Sequence, residues 1–413
     1  MKKNCIQKKI KQTSLLRKEP SWLIDLRLQA LAKLLESDFL LKEKMDFFDL
    51  SWNIPTFLKV DPSPRLMQVG AENVYEQLPI DLIDQGVIFT NFQEAIKKHE
   101  ALIKDYWQAK SELFAKNPKM AEFVLFMNSG AFLYIPKNVE IALPVEYFWV
   151  KPQTLNLPVY SSVLLLVEEE AKVNYVEQVQ SIENSEDQLV LLHLFVEVIV
   201  KKGAKVNFWA NETLDQQVKV HIWRSGKLHR NSQVNWQINA LSNGEVNSKL
   251  EVDLAEEGAC TTVKIAGISS KKQEQKIQTR VRNYAKNSKG KIVQHGVVMD
   301  EGKLSFEGIG EIQKGAKGAI SKQESRVLIL SDEALGKVNP LLLIDENEVT
   351  AGHAASIGRV DENMMYYLMS RGIDKKEVIH LLIRGFLDSV MPSFSDYLSK
   401  SEWTEVIKRK LNV

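Results

Sequence analysis

Between Phe123 and Ile344 the chain alternates apolar and polar residues with a period of two, in one short run after another. Val218, Val220 and Ile222 alternate with Lys219, His221 and Trp223. Val234, Trp236 and Ile238 alternate with polar neighbours, and Leu192, Leu194, Val196, Val198 and Val200 share one phase over a longer run. A helix repeats every 3.6 residues, so this pattern specifies strands with one face buried. Small-residue corners separate the runs: Glu170-Ala171, Gly203-Ala204, Asn243-Gly244, Gly258-Ala259, Lys289-Gly290, Glu301-Gly302 and Gly315-Ala316. Several recur about a dozen residues apart or at rough multiples of that. Glycine, present at most of them, permits a tight turn with positive φ. Short strands joined by repeating corners are what a β-solenoid is built from. A β-sandwich is the alternative, but it uses fewer strands and a shorter segment.

Helical spacing flanks this region. Beyond Pro20, which suits a first helical turn, Trp22, Leu23, Leu26, Ala30, Leu31, Leu34 and Leu35 recur on one face. A linker with Pro55, Pro62 and Pro64 follows. Thr90, with Gln93 three residues on, predicts a capped helix that places Phe92, Ile96, His99, Ile103 and Tyr106 together. Near the other end, Asp361 precedes a helix carrying Met364, Met365, Tyr367, Leu368 and Met369 and stopping at Gly372, its methionines spaced for core packing. Asp374 caps a second helix with the broad apolar face Val378, Ile379, Leu382, Ile383, Phe386 and Leu387. The expected organisation is a helical region with a basic tail over 1–117, a β core over 118–348 and a helical region over 349–413.

Composition narrows the function. Fifty-four basic residues are nearly cancelled by 53 acidic ones, which argues against a nucleic-acid binder and its usual basic excess. Only Cys5 and Cys260 occur, so the chain cannot build a zinc ribbon or a four-cysteine cluster site alone. The scarcity of cysteine fits a reducing, cytoplasmic setting. No apolar run reaches the ~20 residues that span a bilayer, so no membrane role is expected. The first 18 residues carry no acid. A targeting peptide is one reading, but no apolar segment or cleavage site follows, and a solvated, partly disordered tail fits better. No GxxxxGK[ST], GxSxG or HExxH motif occurs, and Gly308-Ile309-Gly310 reads as a strand-corner pair without a GxGxxG context. The chain is therefore expected not to be an enzyme.

Three segments carry a resemblance: Asn339-Pro340-Leu341-Leu342-Leu343-Ile344, then Val349 through Asp361 with Ala351-Gly352-His353-Ala354-Ala355-Ser356 at its centre, then Tyr366-Tyr367-Leu368-Met369-Ser370-Arg371-Gly372-Ile373. It continues upstream in Tyr134-Ile135-Pro136-Lys137-Asn138-Val139 through Leu143-Pro144, and in the corner-rich stretch from Gly290 to Leu330. Together these resemble the SufB/SufD family of iron–sulfur cluster assembly proteins. The resemblance implies a right-handed parallel β-helix flanked by N-terminal and C-terminal α-helical regions. It also implies pairing between SufB and SufD through their β-helices, and a SufC ATPase of the ABC type bound by each C-terminal helical region. SufB proteins share a Cys-Ser-His-Gly-Ala-Thr stretch in which the cysteine is the cluster or sulfur-transfer candidate. Ala351 stands at that position and can carry neither sulfur nor iron, which together with the modest length sets the chain nearer the SufD side.

His353 is the candidate metal ligand that the resemblance implies, one imidazole at a SufB interface for a transient, shared iron–sulfur cluster; its alternative is a hydrogen-bonded loop histidine. No catalytic residue is assigned. A flavin in the assembled complex and a homodimer of the isolated chain are left open. Cys260, in Ala259-Cys260-Thr261-Thr262-Val263, reads as a half-buried hydrophobe rather than a sulfur relay, and His295 as a corner residue. His99 reads as a core-edge residue, and His193, His221 and His229 show no ligand spacing. Two other functions compete: a SufB-like homodimeric scaffold, against which Ala351 speaks, and a carbohydrate-active β-helix enzyme. The latter needs paired carboxylates in a groove, and the run Glu168-Glu169-Glu170 cannot all line one cleft from a strand.

Overall fold

The computed structural model describes residues 2–36, 63–108, 118–152, 158–181, 189–390 and 410. Pro55, Pro62 and Asn117 lie outside the described residues. The alternating runs form a parallel β-solenoid in which successive strands fall into two sheets by turns. The first strands in chain order are β1 (Arg65–Val69), β2 (Glu72–Gln77) and β3 (Ile88–Asn91). One sheet then stacks β5 (Val145–Lys151), β7 (Lys172–Ser181), β9 (Lys205–Thr213), β11 (Gln233–Ala240), β13 (Cys260–Ser269), β15 (Lys289–Val298), β17 (Ile320–Ile329) and β19 (Thr350–Arg359). The other stacks β4 (Ser129–Ile135), β6 (Val159–Val167), β8 (Val190–Val200), β10 (Val218–Leu228), β12 (Val246–Leu254), β14 (Glu274–Asn283), β16 (Lys303–Ile312) and β18 (Leu335–Ile344). The β1–β2 hairpin closes the first sheet at its start by pairing with β5, and β3 closes the second by pairing antiparallel with β4.

The corners explain why the chain winds. Asn138, Glu170, Gly203, Asn231, Gly258, Asn287 and Gly318 occupy the left-handed region, one per coil. Each donates its backbone N–H to a carbonyl of the next corner, as Gly203 does to Arg230 (2.9 Å), Asn231 to Glu257 (3.0 Å) and Asn287 to Lys317 (3.0 Å). Glycine is required where it stacks on a side chain: a Cβ on Gly258 would lie 2.1 Å from the Asn231 carboxamide. A buried small residue follows six of the seven, namely Ala171, Ala204, Ser232, Ala259, Ser288 and Ala319, and Val139 follows Asn138. One full coil is therefore about 30 residues, and the dozen-residue spacing in the sequence marks half a coil. Gly290 is no corner; it lies within β15 against Val281.

In-register pairing stacks like on like. Inside, Tyr175, Phe208 and Trp236 follow one another on β7, β9 and β11, with ring centroids 5.0 and 4.7 Å apart. Outside, Asn235 donates to Asn207 and Asn207 to Asn174, both at 2.9 Å. Each fully buried valine, leucine or isoleucine of the lumen contributes roughly 1.5–3 kcal/mol.

The helices differ from expectation in several places. The basic N-terminus folds as α1 (Lys2–Leu16), because Ile6, Ile10 and Ser14 at four-residue spacing make a stripe narrow enough to dock. Helix α2 (Ser21–Glu36) buries the expected face except Leu35, which is exposed. A short α3 (Ile80–Asp84) follows. The helix expected from Thr90 begins one residue later: Asn91 caps α4 (Phe92–Lys98) by accepting from the Glu94 N–H. It breaks at half-buried His99, and α5 (Glu100–Gln108) resumes. Helix α6 (Pro118–Phe126) occupies the start of the expected β region. Arg27 ties α2 to the end of α6, donating to the carbonyls of Val124, Leu125 and Met127 while Glu19 pairs with its other edge. At the C-terminus Asp361 caps α7 (Glu362–Ser370), and Asp374 caps α8 (Lys375–Asp388) through the N–H groups of Lys376 and Glu377. The strands thus extend at both margins of the expected 118–348 core, from the β1–β3 region before it to Arg359 after it. Helix α8 buries Ile383 and Leu387 against Ala266, Ile268, Val293 and Val297 on the outer face of the first sheet. Met364 and Met369 on α7 are exposed, so they are not core residues.

Candidate functional site

Opposite ends of the solenoid are finished differently. The β1–β2 hairpin and β3 cover the first coil, whereas β18 and β19 are the last strands of their sheets. All ten residues of Thr350–Arg359 are exposed, and Leu335–Ile344 alternates between exposed and half-buried. Helix α7 buries no residue and α8 lies back on β15, so among the described residues neither helix caps this end. Pro340 sits inside β18, which an edge strand tolerates because one side of its ladder is unpaired. Leu343, Ile344, Ile357, Met364, Tyr366 and Tyr367 expose apolar surface around the opening.

His353 is on β19. Its Cα partner is Gln323 on β17, which is buried in the lumen-facing phase together with Ser321, Ser325 and Val327. Parallel in-register neighbours face the same way, so His353 stands on the lumen side of the uncapped rim. Ala351, Ala355 and Ile357 share that side, and a Cβ on Gly352 would meet nothing within 4 Å. The rim thus offers an imidazole among small residues. A neutral imidazole is a competent ligand for iron, and approach to it is open. Among the described residues no three His, Cys, Asp or Glu side chains converge to hold a metal.

Beneath His353 the lumen is polar, which the sequence did not disclose. Ser325 donates to the Gln294 side-chain oxygen (3.0 Å), and Gln294 donates to Thr279 (3.1 Å). Gln323 donates to the Leu341 carbonyl (2.8 Å), and its own side-chain oxygen is buried with no partner among the described residues. Gly308 and Gly310 are not corner residues; they lie on β16 facing these amides, and a Cβ on Gly308 would sit 2.8 Å from the Gln323 oxygen. The signal was a phase problem: Ser321, Gln323 and Ser325 alternate with Lys322, Glu324 and Arg326, so neither phase is apolar.

The remaining candidates lie elsewhere. Cys260 opens β13, half-buried, its thiol pushed up by burial, and three strand spacings or about 14 Å separate its row from β19. Cys5 lies in α1. His295 is in the middle of β15, not at a corner. Its ring stacks on Phe386 at 5.1 Å, within 3.1 Å of the Phe386 carbonyl, the Ser389 hydroxyl and Glu324, and so anchors α8. Glu168, Glu169 and Glu170 fall in the turn between β6 and β7, where Glu169 pairs with Lys137.

His193 and His221 stack on adjacent coils, 5.2 Å between centroids, and His193 stacks on Tyr160 at 4.5 Å. Burial, then the neighbouring His221 and Lys119, hold His193 down at about 3. The folded ring stays neutral while the unfolded one takes a proton near pH 6.5, so acid favours the unfolded chain. The His193 contribution is constant above pH 6.5 and is lost progressively as pH falls toward 3. A His193→Gln chain should lose less stability than the parent between pH 6.5 and 5, by about 2 kcal/mol, in urea titrations at the two pH values. Equal losses in both chains would refute the assignment.

A sequence model of the SUF system FeS cluster assembly, SufBD core domain, matches residues 151–386. The chain is 34% identical to the iron–sulfur cluster assembly protein SufD of Bacillus subtilis, over 98% of each chain. It is 27% identical to an iron–sulfur cluster assembly SufBD family protein of Staphylococcus epidermidis, covering 92% of this chain and 87% of that one. It is also 28% identical to the iron–sulfur cluster assembly protein SufB of Bacillus subtilis, covering 78% of this chain and 68% of that one.

Proposed function

The chain belongs to the SufB/SufD family of the SUF iron–sulfur cluster assembly system, most like SufD, and from that premise we propose that it is the non-catalytic, cytoplasmic scaffold subunit of an assembly complex. In this reading it pairs with a SufB-type chain through the uncapped end of the solenoid. It carries a SufC-type ATPase through its C-terminal helical region. The observation that supports it most is β19, an edge strand with every residue exposed, bordered by apolar side chains and carrying His353 on the lumen side. An edge presents unpaired N–H and C=O groups that a related strand can complete. Among the described residues no helix is long and apolar enough to cross a membrane.

The cluster is cargo. His353 would give it one imidazole, and the paired SufB-type chain would give the thiolate that Ala351 cannot. The small neighbours leave room for the partner backbone. Co-expression with the SufB-type and SufC-type chains should yield a stable complex. Within it, His353→Ala should leave assembly intact and lower the cluster reconstituted per complex by about tenfold or more, read from visible absorbance under anaerobic conditions. An intact complex with undiminished absorbance would remove His353 from the ligand set. Failure to recover any complex would sink the pairing itself.

A further inference from the structure

We propose that the outer face of the second sheet, above Ser305, is a binding site for a small hydroxylated anion such as a hydroxy-acid or a sugar phosphate. Two outward-facing rows frame it. Asn247, Lys276, Ser305 and Lys337 follow one another in register across β12, β14, β16 and β18. Lys249, Gln278, Glu307 and Asn339 follow in the neighbouring row. Ser305 is short where both neighbours in its row are lysines, and the gap above it opens a depression of about 240 Å³ lined by these residues.

The charges in the depression are not cancelled. Lys276 pairs with Glu274 at 2.7 Å, but among the described residues no carboxylate pairs with Lys249 or Lys337. Two ammonium groups therefore face the cleft with donors to spare for a phosphate or carboxylate. The far wall is fixed: Glu307 accepts from Gln278 through one oxygen and from Asn339 (3.2 Å) through the other. Each of those oxygens keeps a lone pair that an anion repels and a hydroxyl satisfies. Hence the ligand must carry acid at one end and hydroxyl groups at the other. Among the described residues no aromatic ring lines the depression, so a large planar group such as a flavin ring finds nothing there to stack on. The rows alternate with lumen residues Val246, Ile277 and Phe306, so the depression faces away from the interior of the solenoid.

Titration calorimetry of the full chain with citrate and with glucose 6-phosphate, against chloride at matched ionic strength, tests this. At least one of the two should bind saturably at a single site and more tightly than inorganic phosphate; citrate alone would identify a hydroxy-acid, glucose 6-phosphate alone a sugar phosphate. Lys249→Gln and Lys337→Gln should each weaken binding about tenfold, as the loss of a charge-assisted hydrogen bond does. Ser305→Phe should abolish it by filling the floor. All three positions are at the surface, and far-UV circular dichroism checks that the variants fold. Absence of saturable heat with both probes, or binding that survives Ser305→Phe, overturns the proposal.

Discussion

An Arg224→Met chain should unfold at much lower urea than the parent, with a loss of about 3–5 kcal/mol. Arg224 projects from β10 across the lumen to Glu212 on β9, 2.7 Å away, and to Glu177 on β7. All three side chains are wholly buried. Burial alone would lower the Arg224 pKa, but Glu177 and Glu212 together raise it, so the guanidinium stays charged. Burial pushes Glu212 up. One cation already serves two carboxylates, and a second oxygen of each, with the Arg224 Nε, has no partner among the described residues. Removing the cation leaves two acids in an apolar lumen, where desolvation is uncompensated. Replacing all three by apolar residues, as in Arg224→Leu with Glu177→Met and Glu212→Met, should restore most of the loss, because the triad then leaves no orphan charge. A single substitution no worse than the triple would contradict this account.

The second large effect concerns the rim. Ile357→Lys should weaken association with a SufB-type chain by at least about 100-fold, equivalent to roughly 2.7 kcal/mol, while leaving the isolated chain as stable as before. Ile357 is 48% exposed on β19 and shares the lumen-side phase with His353. In the free chain a lysine there is solvated; under a docked partner it would be a desolvated, unpaired charge, the device by which natural edge strands reject pairing. The two readouts separate cleanly. Thermal unfolding of the isolated chain reports the fold, and co-purification or calorimetry with the partner reports the edge. Undiminished affinity would show that the pairing surface lies elsewhere. His353→Ala acts on the same rim, but its expected effect is on cluster yield rather than on association, so the two variants test different parts of one reading.

Much of this architecture is legible from residues alone. Val218, Val220 and Ile222 announce their strand and its buried face because one phase is apolar and the other is not, and their burial follows that phase. Asp361 and Asp374 announce two helix starts because a short acidic side chain satisfies the first free N–H groups. The corners were visible as small residues, but not their rule: Asn and Glu stand in the left-handed position as well as Gly, and the half-coil spacing concealed the full coil. Arg224, Glu177 and Glu212 sat in the inward phase of their strands, yet a charged residue there reads as solvated until its partners on the opposite sheet are known.

By itself, then, the sequence determined the alternating strands of the solenoid and the two Asp-capped helices that follow it, because periodicity and caps are local properties that a few neighbouring residues settle. The tertiary structure alone decided where the charged triad closes across the lumen, that His295 anchors a helix, and that His353 stands on an uncapped rim above neutral amides. Those arrangements join residues on different strands. Ala351 to Ser356 and Ser321 to Arg326 have no apolar phase of their own, so only pairing with a neighbouring coil fixes which way their side chains point.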